Sequence, residues 1–319
     1  MLTISTTYLN MNYPKTFFDF MKLSNKQPAF LNVYKQLGSP RPFDVSLRDG
    51  LQGLNKTQQK AFTLDTKKFF FHKIVENHNP RAIEVGSIIS NKVLPIFKDS
   101  KELFQYTNTI PEKECFLLIP SKEKLGDLLL DTEVRCRHFS FITSVSDSFQ
   151  KKNTKKTIEE MRTEMETMIQ MLDNQKINYK IKLYISCINE CPIVGRQENN
   201  HIIAEILKYK QLYLTNKVNT ICLSDTTGTL STADFTYIVD SCNKEGLPYT
   251  SFSLHLHVKS PHIVEDIFHK ALDRHITQFD VSDIETGGCS VTMDANKLNP
   301  NLSYPLYYEF LTKYIMKQL

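Results

Sequence analysis

The stretch Phe252-Ser-Leu-His-Leu-His-Val258, followed by Pro261–Arg274, decides how this chain is read. The first part has the length and alternation of a strand, and the second has the length and spacing of a helix. The same unit recurs in both directions. Candidate strands lie upstream at Phe43–Leu47, Ala82–Gly86, Cys115–Pro120, Phe139–Val145, Lys180–Cys187 and Thr220–Ser224, and downstream at Gln278–Ser282. Helix-prone stretches separate them: Lys56–Asn77, Val93–Tyr106, Ser121–Leu130, Thr154–Lys176, Asn200–Thr215 and Thr232–Lys244, with a last one from Pro305. Ser121 suits an N-cap. Met161, Met165, Met168, Met171 and Leu172 recur at helical spacing and read as core. Eight strands alternating with helices imply a parallel sheet, and eight such units close naturally into a (β/α)8 TIM barrel. An open doubly wound sheet is the rival, but neither glycine-rich nucleotide fingerprint follows the first strand. Residues 42–319 are therefore assigned to the barrel. Residues 1–41 lack clear periodicity and are assigned to an N-terminal extension.

Composition narrows the function classes. A net charge of +4, with lysines and acids interleaved, is not the concentrated basic stripe of a nucleic-acid binder. No apolar run reaches the roughly 18 residues that span a bilayer. Seven cysteines in 319 residues form no disulfide framework, and an odd number leaves one over. Reduced thiols in a cytoplasmic setting are expected. The first forty residues contain no Arg and show no signal-peptide pattern.

Polar residues gather where strands give way to the following loops, the end of such barrels that carries chemistry. Arg48, Asp49 and Gln52 follow the first strand, and Glu84 lies in the second. Cys187 ends the fifth and Asp225 follows the sixth. His255 and His257 lie on the seventh, while Gly287, Gly288 and Cys289 follow the eighth. Residues i and i+2 of a strand share a face, so both imidazoles can enter the lumen together. First and seventh strands supply the same interior layers, which can bring Asp49 to the pair. Two histidines and a carboxylate suit Mn2+, Zn2+ or Fe2+, and Mg2+ where waters complete an octahedron. The same spacing also fits a pair of hydrogen-bonded core histidines.

Several segments together resemble the 3-hydroxy-3-methylglutaryl-CoA lyase family, whose metal-dependent barrels include isopropylmalate and homocitrate synthases. Ser46-Leu-Arg-Asp-Gly-Leu-Gln52 resembles its R-D-G-L-Q signature, and Ile83-Glu-Val-Gly-Ser87 its I-E-V-T-S segment. Lys151-Lys-Asn153 with Ile158-Glu-Glu160 is similar to K-K-N-x-x-x-S-I-E-E. Tyr184-Ile-Ser-Cys-Ile-Asn-Glu-Cys-Pro192 resembles Y-V-S-C-x-x-G-C-P, and Leu223-Ser-Asp-Thr-Thr-Gly228 resembles L-G-D-T-x-G. His255-Leu-His257 and Gly287-Gly-Cys289 complete the set. The resemblance implies a carbon–carbon lyase that cleaves a 3-hydroxy acyl-CoA, with Mg2+ or Mn2+ (Zn2+ as an option) on Asp49, His255, His257 and an asparagine. It implies that Arg48 stabilises the developing enolate and that Cys289 helps protonate it. Glu84, Asp225 and Gln52 would orient substrate and proton-transfer groups, and Gly287 and Gly288 would form a loop closing over substrate. The implied partner is a small acyl-CoA, with a homodimer as a further option.

The chain also departs from that pattern. Val258 stands where the family carries Asp after the second metal histidine, and Ser290–Asn296 replaces a glycine-rich run. The metal asparagine is Asn301 by position before the last helix, with Asn296 and Asn299 as alternatives. These departures keep open a barrel with weakened or no catalysis and a binding or regulatory role. A condensing synthase is a more distant reading.

Overall fold

A computed structural model of the chain describes residues 13–110, 113–284, 286–288, 292–293 and 298–319. Eight parallel strands make one sheet: β1 (Phe43–Asp44), β2 (Ala82–Ser87), β3 (Glu114–Leu118), β4 (His138–Ser144), β5 (Lys180–Ser186), β6 (Thr220–Asp225), β7 (Phe252–Leu256) and β8 (Asp280–Val281). From β1 to β7 each strand pairs with the next in sequence, and β8 pairs with β1. A parallel bridge from Leu254 to Phe279 links β7 to the β8 segment, so the sheet is a nearly closed TIM barrel. Apolar faces of the surrounding helices pack on the outside of the strands in one continuous core. A smaller cluster, Phe43, Val45, Ala82 and Phe116, stands apart from it.

Several expected elements change length, each for a local reason. The first strand stops at Asp44 because the Asp44 carboxylate accepts from the Ser46 amide (3.0 Å) and hydroxyl (2.8 Å). Those bonds turn the chain into a wide helical turn over Ser46–Gly50, where a turn at Asp49-Gly50 is expected from sequence. The stretch Lys56–Asn77 divides into helices Lys56–Lys60 and Leu64–His78, because Asn55 and Thr63 each cap a new N-terminus. Likewise Thr154–Lys176 begins only at Ile158. Lys155 adopts a left-handed conformation (φ 64°) that ends helix Asp147–Thr154, and a Thr157/Glu160 capping box opens Ile158–Asn174. The eighth strand contracts to two residues.

The extension is not featureless. Helices Phe17–Lys26 and Pro28–Gln36 precede β1 and bury Phe20, Phe30 and Tyr34. Phe20 stacks on Tyr308 of the final helix, Tyr304–Lys317, with ring centroids 5.7 Å apart. Among the described residues, no helix is long and apolar enough to cross a membrane.

Candidate metal centre

Three buried side chains meet at the carboxyl ends of the strands. Asp49 comes from the wide turn after β1, His255 from β7, and His257 from the residue just beyond it. One ligand atom from each lies within 4.8 Å of the others. The Nε2 atoms of His255 and His257 stand 3.7 and 3.8 Å from Asp49 Oδ2. That is too long for hydrogen bonds, and it is a few tenths of an ångström beyond the roughly 3.3–3.6 Å between tetrahedral ligands of an ion at about 2.0–2.2 Å.

The other ring nitrogens fix what those Nε2 atoms offer. His257 Nδ1 lies 2.9 Å from the Asp225 main-chain oxygen, which can only accept, so Nδ1 carries the proton. His255 Nδ1 faces Asp280 Oδ2 at 3.2 Å. Burial works to raise the Asp280 pKa, but Lys182 and His255 outweigh it and keep the carboxylate ionised as an acceptor. Both histidines therefore anchor Nδ1 on an acceptor behind the ring and turn Nε2 toward Asp49, the arrangement of metal-bound imidazoles. His257 Nε2 and Asn301 Oδ1 are buried without a hydrogen-bond partner. Two orphaned ligand-type atoms beside a carboxylate fit a cation.

Asn301 is held there by an antiparallel bridge to His257. Its Nδ2 donates to Asp49 Oδ2 (3.0 Å) and to the Thr286 oxygen (3.1 Å). Asn299 instead donates to the Thr227 oxygen, and Asn296 lies outside the described residues. Gly287 is packed so tightly against the Asn301 amide that any Cβ would overlap it. Gly288 donates its N–H to Asp49 Oδ2 at 2.9 Å and has φ +98°, a region that favours glycine.

Arg48 adjoins the cluster. It donates to Asp49 Oδ1 at 2.6 Å, forms an ion pair with Glu84, and lies 5.2 Å from the Tyr184 ring centroid. Burial would raise the Asp49 pKa, yet Arg48 and the two imidazoles together hold it well below the usual carboxylate range. The charged groups border a cavity of about 100 Å3. Its lining includes Arg48, Asp49, Gln52, His255, His257 and Gly288, together with apolar residues such as Ile89, Leu94, Leu118 and Phe149.

Four expected site residues, Glu84, Asp225, Gly287 and Asn301, do not line this cavity. Glu84 stands behind Arg48, with one oxygen engaged and Oε1 unpartnered. Asp225 turns its carboxylate to the amides of Thr229 (3.1 Å) and Leu230 (3.0 Å), while its main chain supports His257. Cys289 lies outside the described residues. Sequence reasoning passed over Tyr184, Lys182 and Asp280. Polar residues at every second place of β5 (Lys182, Tyr184 and Ser186) were the available signal of an inward face.

The fold and this centre define a TIM barrel whose mouth carries a buried Asp/His/His group that could hold a metal ion. The HMGL-like family model matches residues 39–260, more than half of the chain, and the chain belongs to that family. Solved structures agree on the fold. A hydroxymethylglutaryl-CoA lyase from Pseudomonas aeruginosa superposes with a TM-score of 0.69 at 21% identity, covering 83% of this chain and 82% of that one. An HMG-CoA lyase from Acinetobacter baumannii, in complex with coenzyme A and 3-methylmalate, gives 0.68 at 20%, covering 83% and 80%. The carboxyl transferase domain of Rhizobium etli pyruvate carboxylase gives 0.53 at 13%, covering 96% and 55%. A search of the curated proteins by sequence finds no match.

Proposed function

We propose that this chain is a divalent-metal-dependent carbon–carbon lyase that cleaves 3-hydroxy-3-methylglutaryl-CoA, or a related 3-hydroxy acyl-CoA, to acetyl-CoA and a keto acid such as acetoacetate. The observation that carries the reading is the pair of Nε2 atoms aimed at Asp49, with the orphaned Asn301 oxygen beside them and Arg48 bordering the same cavity. Asp49, His255, His257 and Asn301 would hold Mg2+ or Mn2+. The ion would supply Lewis acidity toward oxygens of the substrate. In the cleavage, a general base takes the C3 hydroxyl proton, the C3–O bond becomes a carbonyl and the C2–C3 bond breaks. The electron pair then passes into a thioester enolate, which is protonated to acetyl-CoA. Arg48, kept cationic by Glu84 and Asp49, faces that developing charge, and a preorganised donor of this kind is worth roughly 3–4 kcal/mol. Cys289 is the proposed proton donor. Gln52 and the Gly287–Gly288 segment orient the substrate.

The acyl-CoA reading has separate support. A second cavity of about 980 Å3 shares Leu94 with the first and carries Lys56, Lys60 and Lys98, while Lys67 is paired with Asp99. The three lysines, unpaired among the described residues, suit a polyanionic carrier. The A. baumannii lyase with bound coenzyme A offers a parallel. The cysteines described are all free and buried, as suits a reducing cytoplasm. We retain residues 42–319 as the catalytic barrel and 1–41 as its extension.

One observation favours a second reading, a barrel that binds metal with weakened chemistry. Val258, buried beside His257, offers no polar group at a position where the family supplies a carboxylate. The deciding experiment is acetyl-CoA release from 3-hydroxy-3-methylglutaryl-CoA with Mg2+ or Mn2+ and a thiol reductant. Turnover is expected, lost in Asp49→Ala and reduced about 100-fold or more in Cys289→Ala. Wild-type release no faster than Asp49→Ala would leave only the binding reading.

A further inference from the structure

We propose that Lys182, in β5, is a positioning residue for the metal centre and acts on His255 through Asp280; this rests on the metal reading above. Lys182 is 4% exposed, so its charge lies inside the barrel rather than on the rim. Its Nζ pairs with Asp280 Oδ1, while Asp280 Oδ2 receives His255 Nδ1 at 3.2 Å. One carboxylate thus takes a separate donor on each oxygen. The lysine is itself confined, with Nζ 3.5 Å from the Phe43 ring centroid and 4.7 Å from that of Tyr184. The His255 ring meets Tyr184 edge-on at 6.0 Å, so the same aromatic side chain borders both ends of the chain of contacts.

A buried ion pair is a poor device for stability alone, because desolvating two charges consumes most of their attraction. Its use here is directional. With Oδ1 held by Lys182, the Asp280 carboxylate cannot swing about its last bond, and Oδ2 stays in line with the His255 Nδ1–H. The ring plane is set, and Nε2 stays 3.7 Å from Asp49 Oδ2. A methionine at position 182 would keep length and packing and remove only this tether.

The test measures the Mn2+ dissociation constant of the full chain by electron paramagnetic resonance. It also reads the His255 ring nitrogens by 15N–1H correlation in the metal-free protein. Lys182→Met is expected to weaken Mn2+ binding about 10-fold or more, as loss of an outer-shell partner does. Lys182→Arg should recover most of that loss, and Lys182→Met should add nothing in a His255→Ala background. The wild-type His255 spectrum should show a protonated Nδ1 and a bare Nε2, giving way to mixed tautomers in Lys182→Met. Unchanged Mn2+ affinity in Lys182→Met, or an equal loss in the His255→Ala background, overturns the proposal. Should the lone charge left at Asp280 prevent folding, Lys182→Met with Asp280→Asn leaves no unpaired charge. That double variant is expected to bind Mn2+ as weakly as Lys182→Met, and wild-type affinity in it overturns the proposal. A wild-type protein that binds no Mn2+ would sink the metal reading instead, while the imidazole spectrum would still decide the role of Lys182.

Discussion

The two sides of this barrel are built differently. On one side β4 and β5 run together through seven consecutive register pairs, His138↔Lys180 to Ser144↔Ser186. On the other side β8 and β1 share two, and β7 meets the β8 segment at one bridge. The sparse side carries Asp49, His255, His257 and Asn301. There, side chains take over the joining: the Asp283 amide donates to Ser46 Oγ (2.7 Å), Thr286 Oγ1 to the Gly50 oxygen (2.9 Å), and Tyr304 to Asp44 (2.9 Å). A chain that leaves the ladder early can turn Asp49 into the mouth instead of along a strand. The regular side holds together through its ladder and the Met161, Met165 and Met168 stripe, all fully buried.

Three measurements would break or sharpen that contrast. The largest effect is expected on the regular side, where Met168→Ala leaves a cavity and should lower unfolding free energy by about 2–5 kcal/mol. Its Mn2+ affinity should stay at the wild-type value; a loss in affinity would mean that the two sides are not separable. Gly287→Ala should do the reverse. Its methyl displaces the Asn301 amide and should weaken Mn2+ binding about 10–100-fold, with a small change in Tm. Unaltered affinity would remove Asn301 from the centre.

The smallest effect concerns pH. Burial raises Asp44 to a pKa of about 7, against the bonds from Ser46 and Tyr304 that lower it. A carboxyl whose folded pKa exceeds its unfolded one binds its proton more tightly when folded, so its contribution weakens as pH rises between those values. Relative to Asp44→Asn, the wild-type protein should therefore lose about 2 kcal/mol from pH 5 to pH 7 and little beyond pH 8. Denaturant melts across that range check it, and a flat difference would place the charge of Asp44 elsewhere.

Much of the barrel is legible in the sequence because each strand–helix unit carries its own pattern. Boundaries slip where one residue intervenes: the left-handed Lys155, the Thr157 cap, or the Asp44–Ser46 bonds that end β1 early. The short, irregular start hides two helices whose burial depends on the last helix of the chain, through contacts such as Phe20–Tyr308. In the site, the i, i+2 spacing of His255 and His257 predicts a shared face. Nothing in that spacing separates metal ligands from hydrogen-bonded core histidines.

By itself, the sequence determined the alternation of strands and helices, the inward pair His255/His257, and the stretch after β1 that delivers Arg48 and Asp49. Periodicity and motif are local properties, written within a few residues. Only the tertiary structure decided which nitrogen of each imidazole faces Asp49, that Asn301 stands beside it while Asn299 bonds Thr227, and that Lys182 reaches His255 through Asp280. Those outcomes depend on partners as far apart as Lys182 and Asp280, or Asp49 and Asn301, which closure of the barrel alone brings into contact.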